Sequence, residues 1–251
     1  MEQWRLIPLL NTSGAMQMAI DGWLLDQHRA GQMPSVLRFY TWSPVAISLG
    51  YHQRHYPDHW QSLTWQGHPL DIVRRPSGGR AVLHQGELTY AVITSGLQGD
   101  RTQVYRTLCQ FLIAGMERLE IALDYGIAGR GYIHNPNCFG TATAADLVLP
   151  DGIKLIGSAQ LKRGNAILQH GSIRLGPDPN LFEQVFEIPL ARSPLWDISP
   201  PIPTVAAVIQ ALTSAAQEQF GIKLVEQPLT PSEWHDAVTQ SQKWHKPTQA
   251  H

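Results

Sequence analysis

Asp71-Ile72-Val73-Arg74-Arg75-Pro76-Ser77-Gly78-Gly79-Arg80-Ala81-Val82-Leu83-His84-Gln85-Gly86-Glu87-Leu88-Thr89-Tyr90-Ala91-Val92-Ile93 is the stretch around which the rest of the chain is organised. An apolar start runs into two arginines, a Pro-Ser-Gly-Gly turn and a third arginine. A short apolar run and a histidine follow. Then comes an alternating strand, with Leu88, Tyr90 and Val92 on one face and Thr89, Ala91 and Ile93 on the other. The glycines let a backbone come close to a ligand and tolerate positive φ. The arginines offer fork-shaped cationic donors suited to phosphate or carboxylate. Taken alone, the stretch fits two readings equally: a β-hairpin with a glycine turn and solvated arginines, or an anion-gripping loop.

Outward from this stretch, the composition narrows the classes. The 251 residues suit one large domain or two modest ones and can bury a real core. The 19 Lys+Arg nearly balance the 20 Asp+Glu, so no global charge points to nucleic acid or to a membrane surface. Met1-Glu2-Gln3-Trp4-Arg5 lacks the basic start and apolar core of a signal peptide. No apolar run approaches the ~20 residues of a membrane span. The two cysteines, Cys109 and Cys138, are too few for a disulfide framework and fit a reducing, cytoplasmic setting.

Along the chain, Trp4 to Leu10 reads as an entry strand. Ser13 caps a helix running to about Ala30, with Met16, Ala19, Ile20, Trp23, Leu24 and Gln27 at helical spacing. Asp21, near its middle, reads as a solvated residue or as the partner of a nearby donor. Val36 to Tyr40 and Val45 to Gly50 are strands. Residues 54–70 hold a short helix and a turn at Gly67-His68-Pro69. Asp100 to Leu123 is a helix with an apolar stripe, and Cys109 beside that stripe reads as a small buried thiol. Ala145 to Leu149 and Lys154 onward pair across Pro150-Asp151-Gly152, and Ala166 to Leu175 returns after a basic turn. Residues 176–203 read as irregular. A helix over Val205 to Phe220, a short strand and a small helix over Ser232 to Trp244 finish the chain. Strand pairs alternating with single helices predict an α+β fold with a mainly antiparallel sheet flanked by helices.

Cys138 contrasts with Cys109. It lies in a loop after glycines 126, 129 and 131 and an Asn135-Pro136-Asn137 turn, where reactive groups tend to sit. Lys154 opens the next return strand, and a cation near a thiol favours the nucleophilic thiolate. The alternative is a half-buried thiol and a surface lysine on a hairpin. His134 and Cys138 lack the further ligands a zinc site needs, so no metal is expected. No G-x-S-x-G elbow, G-x-x-x-x-G-K-[ST] loop or G-x-G-x-x-G is present.

Three blocks together resemble one superfamily. Arg74 to His84 resembles the R-R-x-[ST]-G-G-[GR]-A-V-x-H signature of the lipoate–protein ligases and octanoyltransferases. Lys154-Leu155-Ile156-Gly157-Ser158-Ala159-Gln160 is similar to their K-[IV]-x-G-S-A-[QY] block, and Gln169-His170-Gly171-Ser172-Ile173 to their H-G-[ST]-[IL] block. The similarity covers about residues 1–245. It implies the biotin/lipoate protein ligase catalytic-domain fold, one catalytic domain over 1–251 without a C-terminal accessory domain, and a monomer. Within the superfamily, three features resemble the LipM-type octanoyltransferases. Arg80 stands where ligases usually have a third glycine. His84 to Tyr90 is similar to H-[DQ]-x-E-L-T-Y. Cys138-Phe139 stands at the transferases' nucleophile position.

The resemblance therefore implies Cys138 as nucleophile and Lys154 as the residue that activates it. It implies Arg75, Ser77, Gly78, Gly79, Arg80, Ala81, His84, Gly157, Ser158, Ala159, His170 and Gly171 as substrate-binding residues. Among these, Gly78-Gly79 and Ala81-Val82 would wall an octanoyl tunnel, and the Gly157-Ser158 region would hold an oxyanion. His84 and His170 read equally as polar neighbours of substrate or as packing groups. The arginines read as anchors of the loop or as contacts to an acidic carrier. The donor implied is octanoyl-acyl carrier protein. The acceptor implied is a lysine on the lipoyl domain of a 2-oxoacid dehydrogenase E2 or on the glycine-cleavage H protein. No cofactor is implied; ATP and Mg enter only in the alternative of an ATP-dependent lipoate–protein ligase. An amidotransferase between lipoyl domains would share the same cysteine, and a non-catalytic lipoyl-binding module is the third class. One departure is that Asn137 to Thr143 lacks the aromatic residues expected after Cys-Phe, which leaves the acyl-chain preference open.

Overall fold

The computed structural model describes residues 1–126, 146–191, 203–241 and 244. The first half contains β1 (Glu2–Thr12), α1 (Gly14–Arg29), β2 (Val36–Trp42), β3 (Ala46–Leu49), a short 3₁₀ turn (Asp58–Ser62), β4 (Thr64–Trp65), β5 (His68–Pro69), β6 (Asp71–Arg74), β7 (Val82–His84) and β8 (Glu87–Ser95). The second half contains α2 (Arg101–Glu117), β9 (Asp124–Tyr125), β10 (Asp146–Val148), β11 (Lys154–Arg163), β12 (Ala166–Arg174), α3 (Pro179–Phe186), α4 (Val205–Phe220), β13 (Ile222–Glu226) and α5 (Pro231–Ser241). Eight strands form one sheet in the order β13-β1-β2-β8-β12-β11-β10-β9. Only the β1–β13 and β1–β2 pairings within it are parallel, so the sheet is mainly antiparallel and the fold is α+β.

The alternation in β8 decides the layering. Leu88, Tyr90 and Val92 enter the core beneath α2 and α4. Ala91 and Ile93 enter the core beneath α1. A strand covered on both faces is buried over almost its whole length, as β8 is. The α2–α4 crossing is tight at Gly115, where an added Cβ would lie 2.6 Å from Leu212. On the other face, Arg5 of β1 donates two hydrogen bonds to Glu233, at 2.7 and 2.8 Å, and so holds the start of α5. Among the described residues no helix is long and apolar enough to cross a membrane.

The opening stretch is not a hairpin. β6 and β7 do not pair with each other; both flank β3, β6 parallel and β7 antiparallel, in a second sheet of three strands. The loop 75–81 therefore crosses the end of β3. There a Cβ on Gly50 would lie 1.8 Å from the carbonyl oxygen of Gly79, which itself has φ +95°. Only glycine at both places lets the two backbones pass. The arginines tie this crossing down. Arg75 donates to the carbonyls of Ser48, Gly78 and Arg80 (2.8, 2.9 and 2.6 Å), and Arg74 to those of Gly50 and Gln53 (2.9 and 2.6 Å). Asp71 accepts from the Gly14 amide at 3.1 Å, fastening the small sheet to the first turn of α1.

Two sequence expectations are corrected. The segment read as irregular contains α3. Asp178 caps it by accepting from Leu181 N at 2.8 Å, with Pro179 in the first turn, a start signal present in the sequence. Its Leu181, Phe182, Val185 and Phe186 close the core under the small sheet, where Trp60 donates to the Val185 carbonyl. α2 ends at Glu117, short of Leu123, and a turn with Glu120 at φ 61° follows.

Candidate active site

The large sheet, the loop 78–80 and the N-terminal turn of α2 enclose a cavity of about 330 Å³. That is the low end of small-molecule sites, a size suited to a slender ligand. β11 and β12 form its floor, with Lys154, Gly157, Ser158, Ala159, His170, Gly171 and Ser172. Gly78, Gly79, Arg80 and Val82 line it from the loop and β7, and Trp42, Tyr40 and Met18 line it from β2 and α1.

Lys154 and Asp146 meet at one side of this cavity. Asp146 opens β10 and Lys154 opens β11, the antiparallel partner. Their side chains are 3% and 5% exposed, and Nζ lies 2.8 Å from Oδ1. Charges this deep persist only when paired, so the geometry fixes the ammonium in the cavity wall.

Asp21 organises a second buried cluster. Arg38 donates to Oδ1 at 2.9 Å; Tyr40 and His170 Nδ1 donate to Oδ2 at 2.9 and 2.8 Å. The solvated reading of Asp21 is thus corrected: the residue is fully buried and serves three donors. The register explains the convergence. Arg38 and His170 both pair with Ala91 on the strand between them, and this small residue leaves room for α1 to lower Asp21 onto them. Burial, then the adjacent Asp21 carboxylate, push the Tyr40 phenol well above its ordinary range, so it remains a donor. The other nitrogen of His170 meets the Ser77 hydroxyl.

His84 builds a third cluster. Its ring stacks on Trp42 at 3.8 Å. Nε2 lies 2.8 Å from Ser48 Oγ and Nδ1 3.2 Å from Glu87, which also accepts from Thr89 and Ser172. Burial lowers the His84 pKa, opposed by Glu87 and reinforced by Arg75 and His170. The neutral ring then donates from Nδ1 and accepts the Ser48 hydroxyl at Nε2. A depressed native pKa means that the unfolded chain binds the extra proton below about pH 6.5, so stability falls as pH drops through that value. Denaturation at pH 7.0 and 5.5 is expected to show a loss at this site of at most about 1.4 kcal/mol. His84→Gln should flatten that slope, and an unchanged slope would refute the assignment.

Ser158 faces Tyr90, with the two hydroxyls 2.7 Å apart, and Gly171 lies opposite it in register. A Cβ on Gly171 would lie 2.5 Å from Ser158 Oγ and 2.8 Å from the Tyr90 ring, so glycine keeps this end of the cavity open. Cys109 is buried in α2, accepts from Gln169 at 3.4 Å, and has its thiol pKa pushed up to about 12 by burial. It is a structural thiol, as its place beside an apolar stripe predicts.

Of the residues the resemblance singled out, Arg75, Gly78, Gly79, Arg80, His84, Lys154, Gly157, Ser158, Ala159, His170 and Gly171 line this one cavity. Ser77 is buried behind it against His170. Ala81 is not in the lining; it packs with Ile47, Leu83 and Phe182 beneath the small sheet. Cys138 and Phe139 lie outside the described residues. The sequence reading gives no role to Asp146 or Glu87; of its two readings of Asp21, solvated residue or partner of a nearby donor, the second holds. A signal for Asp21 was available: between Gly14 and Leu25 it is the only charged residue, and a helix apolar all round is a buried one.

Residues 13–227 match the lipoyl protein ligase A/B catalytic domain. This chain belongs to that family. Relatives within it include proteins named octanoyltransferase LipM from Kyrpidia tusciae and Bacillus subtilis. Each is 36% identical over 203 residues, which covers 76% of this chain and 73% or 72% of the relative. The fold is that of solved lipoate ligases. A lipoate–protein ligase A bound with ATP superposes with a TM-score of 0.76 over 97% of this chain and 95% of its own, at 24% identity. A bipartite lipoate protein ligase from Thermoplasma acidophilum superposes at 0.73, over 97% and 93%, at 22% identity. At such identities the likeness establishes the fold of the family and not its activity.

Proposed function

We propose that this chain is an octanoyltransferase of lipoate biosynthesis. It takes an octanoyl group from octanoyl-acyl carrier protein onto Cys138 and passes it to a lysine of a lipoyl domain, on a 2-oxoacid dehydrogenase E2 or on the glycine-cleavage H protein. One observation carries the reading: in a chain 36% identical to LipM octanoyltransferases, an acyl-sized cavity has a paired, buried lysine, Lys154, in its wall.

The chemistry runs in two balanced transfers. The Cys138 thiolate adds to the thioester carbonyl carbon; a new C–S bond forms, the donor C–S bond breaks, and the donor thiol leaves after taking a proton. The acceptor amine then adds to the acyl-enzyme; a C–N bond forms, the Cys138 thiolate leaves, and the amine gives up a proton. Lys154 stabilises the thiolate electrostatically and lies beside the path of that proton. Exchange of one thioester for another is nearly neutral and its conversion to an amide is downhill, so neither ATP nor Mg is required. We place the reaction in a reducing cytoplasm, where Cys138 stays a thiol.

The test is intact mass after incubation with octanoyl-acyl carrier protein in the absence of ATP. An octanoyl adduct, removed by hydroxylamine and absent in Cys138→Ser, is expected. Octanoylation or lipoylation that requires ATP and persists in Cys138→Ala would instead establish a ligase.

A further inference from the structure

A second cavity, of about 690 Å³, opens beside the first and shares Gly78, Arg101 and Gln160 with it. These shared residues set the inner and outer volumes side by side. The outer part has apolar walls from Pro76, Val104, Leu161 and Ile167, and cations at its rim. Arg101 and Lys162 are exposed there. Arg163 stands beside them, held by Asp26 at 2.9 Å. At the start of α2 the Gln103 and Asp100 amides are already taken, because Asp100 caps Gln103 N at 2.9 Å and the Gln103 side chain returns the bond. The rim is also rigid: Arg74 grips the carbonyls of the Gly50–Gln53 turn, which presents Tyr51, 56% exposed, beside His52.

We infer that the outer cavity receives the phosphate-ended, amide-containing arm on which a carrier presents its thioester, with Lys162 and Arg101 on the phosphate. The inference rests on the transferase reading. With the acyl chain seated in the inner cavity and its thioester towards Gly78, Arg101 and Gln160, the uncharged arm has the outer volume as the adjoining space to occupy. Its amides suit the Gln160 side chain, its methylenes suit the apolar walls, and the anion at its far end falls at the cationic rim.

The experiment measures acyl-enzyme formation by wild type, Lys162→Glu and Arg101→Gln with two donors, octanoyl-4′-phosphopantetheine and octanoyl-pantetheine. Lys162→Glu is expected to raise KM for the phosphorylated donor about tenfold, with kcat nearly unchanged, and to leave the unphosphorylated donor unaffected. Arg101→Gln should act in the same direction. Added salt should raise the wild-type KM for the phosphorylated donor and not that for the other. Equal losses with both donors, or no change with either, would overturn the phosphate site. So would weakened ATP binding in Lys162→Glu with both donors unaffected, which would give the rim to a nucleotide. If wild type acylates equally from both donors, the phosphate site fails while the transferase reading stands. If it forms no acyl-enzyme from either donor or from the carrier, both fail.

Discussion

Lys154→Ala is expected to remove acyl transfer and to unfold far more easily than wild type. The two effects have different causes and separate by design. The stability loss comes from Asp146, whose carboxylate stays in the interior after this ammonium is gone; breaking one side of a buried pair costs about 3–5 kcal/mol. The activity loss follows from the proposed mechanism, in which this cation stabilises the reacting thiolate and helps the incoming amine shed its proton, a role that commonly contributes about 10²–10⁴ in rate. Replacing both partners with apolar residues, as Lys154→Met with Asp146→Leu, removes the remaining buried charge and is expected to recover much of the stability, since apolar replacements of buried pairs are often near neutral. The double variant should remain inactive. Urea denaturation reads the first effect and single-turnover transfer from octanoyl-acyl carrier protein the second. Transfer within about tenfold of wild type in either variant would remove Lys154 from the mechanism.

Asp21→Ala is expected to be the most damaging change outside the reacting groups. It takes one carboxylate from three donors at once: Arg38, Tyr40 and His170. Arg38 is fully buried, and its remaining hydrogen bonds run to Gln17, so a guanidinium is left deep in the protein without its counter-ion. A loss of about 3–5 kcal/mol follows, a large share of the roughly 5–15 kcal/mol that holds a domain together. Asp21→Asn keeps the shape and one acceptor but not the charge, so an intermediate loss is expected. His170 lines the cavity and takes its orientation from Asp21, so any variant that folds should also bind the acyl donor more weakly. A denaturation midpoint for Asp21→Ala indistinguishable from wild type would mean that this carboxylate does not organise the cluster.

Much of the architecture was legible because it is local. The alternation of β8, the capped helix after Ser13 and the glycine after Phe220 each follow from one residue's preferences or from the period of an apolar face. Helix α3 has an Asp-Pro start visible in the sequence, but its eight residues stand among prolines that interrupt any longer helical period. The site motifs were legible as residue strings, but their arrangement was not. Arg75, read among the loop's arginines as either an anchor or a carrier contact, turns inward onto three backbone carbonyls.

The sequence by itself determined the family, the α+β class and Cys109 as a small buried thiol on a helix, since these depend on patterns within short windows. Only the tertiary structure decided that residues 71–93 divide between two sheets, because a third strand, β3, lies between β6 and β7 and no turn signal reports it. Tertiary structure alone also decided that Asp21 lies under His170 and that Asp146 holds Lys154. Both pairings depend on strand register and helix packing across the chain, and a buried charge reveals its partner only when the elements that carry it are in place.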